Sequence, residues 1–247
     1  MELKGITAVI TGSTGHLGEA VCNGLAVVGC HCVCQYNSNR QKVEEIVEQV
    51  IGLGVKAIAV QADLTDADQI NSLFEQASQV GTPRILINSA SVFSRLPLNE
   101  VTFERAREVF DLNLTAAIMT SQVMARIIKE DFPDTEMPVA RIINISDIAG
   151  IRPWAEYVLY CSSKAALIGA TKALAKELAP AFCVNSVAPG LITWASDSDE
   201  NEKKRQLSFI PIARAGTPEE LAQAIIFLLK NDYITGQTLN VDGGRCI

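Results

Sequence analysis

Tyr160 and Lys164 stand four residues apart in "YCSSK", and thirteen residues before the tyrosine comes Asp147, beside Ser146. Inside a helical pattern that spacing puts the phenol and the ammonium on one face. An unperturbed phenol, with a pKa of about 10, is a poor proton relay at neutral pH. An ammonium within ~4–6 Å favours the phenolate and lowers that pKa by about one to three. The tyrosine then becomes a usable acid for a substrate receiving hydride. Tyr157, one turn earlier, has Cys161 at its own i+4 position and reads as a packing residue.

Asp147 narrows what such a pair can reduce. A hydroxyl in its place donates to a ketone oxygen as negative charge builds there, whereas an ionised carboxylate cannot donate and repels that oxygen. Two unit charges ~4 Å apart interact by about 1 kcal/mol in water and about 4 kcal/mol at an effective dielectric near 20. Each ~1.36 kcal/mol is tenfold in rate. The same carboxylate suits a substrate with N–H or amino donors, or a C=N bond whose nitrogen must be protonated. A protonated Asp147 blunts this reasoning. Ser146 is a candidate substitute hydroxyl, but on an extended strand end its side chain points the other way.

These groups need a scaffold, and the chain supplies short apolar runs alternating with helical patterns. Residues Ile6–Gly12, His31–Tyr36, Val55–Gln61, Arg84–Ser89, Ala140–Ser146, Phe182–Ala188 and Gln237–Val241 read as seven strands. Their near-continuous apolar character suits parallel strands covered on both faces. Between them lie "RQKVEEIVEQVIGLG", "ADQINSLFEQASQ" and "PEELAQAIIFLLKN", with helical period. The alternation predicts an α/β fold, a doubly wound seven-stranded parallel sheet with helices on both faces. No repeat or low-complexity linker divides the 247 residues, so one domain spanning 1–247 is expected. "WASDSDENEKKRQLSF" (Trp194–Phe209) reads as a solvated loop, a lid or a partly disordered stretch. Its place after a strand favours a substrate lid, set around 191–215.

Composition excludes several classes. A formal charge of -7 argues against a nucleic-acid surface. No apolar run reaches the ~18–20 residues a membrane span needs, and the N-terminus lacks a secretory layout. Of seven cysteines, Cys30, Cys32 and Cys34 alternate on one strand face as small buried side chains. None forms a zinc-like spacing with His16 and His31, so no metal is expected. The compartment is read as reducing and cytoplasmic.

The first strand runs into "TGSTGHLGEA" (Thr11–Ala20) and then a helix. Gly12, Gly15 and Gly18 permit a tight turn, and the helix start offers N–H groups to a pyrophosphate. After the second strand the chain reads "QYNSNRQK", with no carboxylate until Glu44 and with Ser38, Asn39 and Arg40 available for a ribose 2′-phosphate. That favours NADPH over NADH. Asp63 is placed either to meet an adenine edge or to cap the following helix.

With these motifs the chain resembles the short-chain dehydrogenase/reductase family over essentially its full length. The matching pieces are "TGSTGHLG", "ADL" at 62–64, "NSA" at 88–90, Asn113 in "LNLTAA", "YCSSK", "PG" at 189–190 and "TGQTLNVDGG" at 235–244. The resemblance implies a Rossmann-type fold, a nicotinamide cofactor and a homotetramer. It implies cofactor contacts at Gly12, Ser13, His16, Leu17 and Gly18, at Tyr36, Asn37, Ser38 and Arg40, and at Asp63 and Leu64. Further contacts are implied at Asn88, Ala90 and Ser91 and at Pro189, Gly190 and Ile192. Lys164 is implied at the nicotinamide ribose, and Asn113 holds a relay water.

Three departures narrow the likeness. His16 stands where most members carry glycine, Ser89 replaces an asparagine, and Asp147 occupies the place of the family's catalytic serine. The sequence is similar to the pteridine reductase branch, which carries Asp, Tyr and Lys at 147, 160 and 164 and a basic residue at 16. Ser91 and Phe93 match that branch's serine and pterin-facing aromatic, and Trp194 resembles its bacterial members. This implies hydride transfer to C6 of a 7,8-dihydropterin with a proton to N5. Substrate contacts are implied at Ser91, Phe93, Asp147, Tyr160 and Trp194. The alternatives are a carbonyl or 3-ketoacyl-thioester reductase, and a nucleotide sensor that has lost catalysis.

Overall fold

The computed structural model describes residues 1–194 and 199–247. Seven strands form one parallel sheet: β1 (Thr7–Ile10), β2 (His31–Tyr36), β3 (Ala57–Gln61), β4 (Pro83–Asn88), β5 (Ala140–Ile145), β6 (Phe182–Pro189) and β7 (Thr238–Val241), in the order β3-β2-β1-β4-β5-β6-β7. The helices are α1 (His16–Val27), α2 (Arg40–Gly52), α3 (Ala67–Ser78), α4 (Phe103–Phe110), α5 (Ala116–Asp131), α6 (Val158–Glu177), α7 (Glu200–Leu207) and α8 (Pro218–Lys230).

Strand alternation divides the core between the two faces. Ala8 and Ile10, Cys32 and Cys34, and Ile85 and Ile87 pack on the face covered by α1, α2 and α8. Val9, Val33 and Leu86 turn to the face covered by α3 and α5. On α3, Ile70, Leu73, Phe74 and Ala77 recur at helical spacing and are all buried. Fully burying a Leu, Ile or Phe contributes about 1.5–3 kcal/mol, so this apolar stripe holds α3 down.

Cys30, Cys32 and Cys34 do lie buried on one face, where Cys22 of α1 joins them; its sulfur is 3.6 Å from that of Cys34. Burial pushes the Cys30 thiol up to about 12, so it packs as a neutral group. The acidic stretch differs from a simple loop, since its second half forms α7. Asp199 caps that helix by accepting the Glu202 N–H, and Lys203–Glu200 and Arg205–Glu202 pairs brace it at i, i+3. Residues 195–198, part of the expected lid, lie outside the described residues.

The sheet order reverses between β1 and β4, which opens a crevice at the carboxyl ends of the strands. Gly12, after β1, meets Ala90, after β4, in this crevice. At Gly12 φ is +64°, and an added Cβ would lie 2.7 Å from the Ala90 Cα. Only glycine fits there.

Candidate active site

A cavity of about 630 Å³ opens along this crevice. Gly12, His16, Leu17 and Gly18 form one wall, Asn37, Ser38, Asp63 and Leu64 a second, and Ala90 and Ser91 a third. No side chain caps the start of α1, so the first-turn N–H groups are free of a side-chain acceptor. A Cβ at Gly18 would come 2.3 Å from the Gly12 oxygen, which explains how closely helix and turn pack. A turn without side chains beside an uncapped helix start fits a pyrophosphate.

Several residues implied by resemblance are used elsewhere. The Ser13 hydroxyl donates inward to the Ile10 oxygen at 2.9 Å. Tyr36 lies in the hydrophobic core, because β2 alternation turns it to the α1–α2 face. Arg40 is exposed and pairs with Glu44 at 2.7 Å, while Asn39 caps α2 by accepting the Lys42 N–H. Asp63 lines the cavity and accepts from the backbone and hydroxyl of Thr65; the cap of α3 is Asp66. Asn88 is buried in a network, donating to Asn144 and Ala117 and accepting from Thr120. Pro189 ends β6, Gly190 packs against Asp242 and Ile192 reaches Gly216, and none of the three lines the cavity, whereas Thr193 does.

The catalytic candidates come together at the ends of β5 and α6. Tyr160 donates its phenolic hydrogen to Asp147 Oδ2 at 2.7 Å, and Asp147 Oδ1 accepts the Ala149 N–H at 2.7 Å. Ser146 is turned away: its hydroxyl donates to the Val187 oxygen at 3.1 Å and lies 2.6 Å from the Ser186 hydroxyl. That contact removes the substitute hydroxyl from the site. Lys164 Nζ donates to the Ile145 oxygen at 3.0 Å and sits 5.8 Å from the Tyr160 ring centre.

The protonation pattern differs from the simple phenol–ammonium expectation. Burial, then the charge and hydrogen bond of Asp147, push the Tyr160 phenol well above its ordinary range. The ammonium does not win, because burial disfavours the phenolate and the neighbouring carboxylate, whose charge and hydrogen bond act on the phenol, adds to it. Burial pushes Asp147 up, against the Ala149 N–H, the phenol and the charges of Lys164 and Arg245. Burial also lowers Lys164 to about 8, with Asp147 opposing that shift. At neutral pH the phenol is therefore an acid that keeps its proton until a stronger base arrives.

Asn113 sits in a π-helical turn, Asp111–Thr115, between α4 and α5. Its side chain accepts the Val92 N–H at 2.8 Å and donates to the Val92 oxygen and the Ser163 hydroxyl, each at 3.0 Å. The amide thus clamps the loop after β4, with no side-chain donor left for a relay water. That clamp presents Phe93, which stacks on Tyr157 at 5.1 Å and meets the Tyr160 ring edge-on at 4.8 Å. Trp154 closes the cluster edge-on to Phe93 and Tyr157. Phe93 remains 59% exposed, so it has surface left for a ligand. Trp194 is half-buried beside the undescribed stretch and takes no part in these aromatic pairs.

A family model described as enoyl-(acyl carrier protein) reductase matches residues 13–245. A 3-oxoacyl-[acyl-carrier-protein] reductase of Synechocystis is 36% identical over 243 residues, covering 96% of this chain and 95% of its own. A short-chain dehydrogenase/reductase from Serratia marcescens superposes with a TM-score of 0.91 at 29% identity, both chains covered in full. This chain belongs to the short-chain dehydrogenase/reductase family. A blue fluorescent protein from a metagenomic library, solved with NADPH, shares the fold at a TM-score of 0.88 and 30% identity, again over both full chains.

The family motifs do not single out Gln35, which the structure makes central to the cavity. Its side chain is buried, accepting the Gly12 N–H and donating to the Ala62 oxygen, both at 2.7 Å. It thereby ties the glycine turn to the end of β3. Its polarity at the end of an apolar strand was the available signal. Leaving a buried polar group unpaired costs about 1–3 kcal/mol. Gln35→Leu is therefore expected to lower Tm by several degrees and weaken NADPH binding about tenfold or more, read by thermal shift and fluorescence titration. Unchanged binding would assign Gln35 to folding alone.

Proposed function

We propose that this protein is an NADPH-dependent reductase of the C=N bond in a dihydropterin. The observation that carries the reading is the Tyr160–Asp147 hydrogen bond, which leaves a carboxylate where ketone chemistry calls for a neutral donor. The cofactor choice rests on Asn37 and Ser38 lining the cavity after β2, with no carboxylate before Glu44. The NADPH bound by the metagenomic relative supports it.

NADPH, when bound, supplies hydride to C6 of the pterin. Electrons of the C6–N5 double bond then move to N5, which becomes far more basic than a phenol. Tyr160 gives its proton to N5, and Asp147 Oδ2, released from the phenol, accepts from a substrate N–H. Lys164, charged below about pH 8, offsets the phenolate until solvent reprotonates it. Phe93 offers an aromatic surface to the planar heterocycle. α7 forms part of a lid over the site.

A second reading, a 3-ketoacyl-thioester or other carbonyl reductase, is favoured by the name of the Synechocystis relative. It requires Asp147 to be protonated, a state that burial promotes. Purified protein with NADPH distinguishes the two. Consumption of dihydrobiopterin or dihydromonapterin faster than acetoacetyl thioesters supports the first, and the reverse preference removes it. NADH should be the poorer reductant in either case.

A further inference from the structure

Two loops meet at the aromatic wall of the site. Phe93 and Arg95 lie on the loop after β4, while Trp154, Glu156 and Tyr157 lie on the segment leading into α6. The rings of Phe93 and Tyr157 stack with 24° between their planes, and the next residue inward on each loop carries a tie between them. Arg95 donates from Nε at 2.8 Å and from Nη2 at 2.5 Å to one carboxylate oxygen of Glu156. The backbone oxygen of Glu156 accepts the Leu96 N–H at 2.7 Å. With Asn113 gripping Val92 on the other side, Phe93 sits between two anchors.

Glu156 makes this junction in an unfavourable conformation. Its φ is +67°, and among the described residues Ala213 is the other non-glycine with a left-handed backbone. A side chain disfavours that region, and it persists only where the surroundings over-determine it. Glycine would make the same turn without strain, but it could not reach Arg95. The two side chains are 65% and 43% exposed, so their pairing adds little to stability. A glutamate here therefore costs backbone energy and returns little of it to the fold. What it does fix is the distance between the two loops that carry the stacked rings.

We propose that Glu156 is a positioning residue that, with Arg95, presets the Phe93–Tyr157 stack as a firm wall for a planar substrate. This inference rests on the reading that substrate lies against Phe93. It adds that Tyr157 backs that ring and that the ion pair holds the two loops in register. A wall ordered in advance leaves less to be ordered on binding. A flat, rigid ring gains most from it.

Glu156→Ala and Glu156→Gly separate positioning from stability, because alanine keeps the strained backbone while both lose the ion pair. Tm should stand about 2 °C or more higher in the glycine variant than in the alanine variant. KM for a dihydropterin at saturating NADPH should nevertheless rise about three- to fivefold in both. With kcat unchanged, that is a loss of binding shared by ground and transition states. In a Phe93→Leu background neither substitution should raise KM further, since the wall they position is gone. Near-ultraviolet circular dichroism, which needs no substrate, should lose aromatic signal in both single variants. A KM that follows Tm, raised by alanine and restored by glycine, would make Glu156 structural and overturn the proposal. So would an unchanged KM with an unchanged aromatic signal, or an undiminished rise in the Phe93→Leu background. The pterin reading is tested apart from this, by the substrate preference of the wild type. A preference for the thioester removes that reading, and the aromatic signal then decides the role of Glu156 by itself.

Discussion

Asp147→Ser is expected to lower kcat/KM for a dihydropterin by roughly 10- to 150-fold, while NADPH affinity stays within about threefold. A hydrogen bond to a charged group contributes about 1.5–3 kcal/mol, and ~1.36 kcal/mol is tenfold in rate. Serine keeps the local backbone, since it can accept the Ala149 N–H as Asp147 does and is a favoured cap for the short turn Ile148–Gly150. The substitution removes the charge and supplies a donor, so reduction of an acetoacetyl thioester should rise in the same variant. Steady-state kinetics with both substrates and a fluorescence titration of NADPH read the three quantities. Equal losses in turnover and cofactor binding would make Asp147 a structural residue and leave a generic reductase.

Tyr160→Phe removes the phenol whose proton the reaction uses. Positioned proton transfer contributes about 10²–10⁴-fold, and a loss of that size is expected in kcat. Phenylalanine keeps the ring that meets Phe93 edge-on, so Tm and NADPH affinity should change little. Wild-type kcat should also decline as pH rises through about 8, where Lys164 loses the charge that offsets the phenolate. The sign follows from burial: the lysine titrates below its ordinary value and is cationic only on the acid side of it. A variant retaining a tenth of wild-type kcat would mean that another group delivers the proton.

The two predictions depend on the same pair but separate its roles. Asp147 governs which substrate is accepted, through the charge it presents. Tyr160 governs whether any substrate is protonated. A panel in which Tyr160→Phe abolishes both activities while Asp147→Ser exchanges one for the other is the pattern that this division of roles requires.

The sequence by itself determined the seven strands, their order along the chain and several of the helices between them. α2, α3 and α8 coincide with the helical patterns to within one or two residues, because an apolar stripe at helical period has one way to be buried. The seven strands follow for the related reason that continuous apolar runs must be covered on both faces. Spacing also places Tyr160 and Lys164 on one helix, while Asp147 was legible through its distance from the tyrosine and the family resemblance. α7 was not read as helix, because its stability comes from a cap and charge pairs on a segment with no buried face.

Strand alternation already turned Ser146 away from the side of Asp147, but only tertiary structure decided which partners the side chains at the carboxyl ends of the strands meet. Ser146 and Asp147 are adjacent, yet one hydroxyl is spent on β6 and the neighbouring carboxylate meets the phenol. Gln35 reaches back to Gly12, and Arg152 meets the backbone of Arg245 from ninety-three residues away. Such contacts join segments that no local period relates. The sign of the Tyr160 shift was set in the same way, because it depends on burial and on an acceptor brought in from another element. Hydrophobic pattern is a property of neighbours along the chain, and so it can be read there. Hydrogen-bond choice and desolvation belong to neighbours in space, which exist only once the sheet has formed.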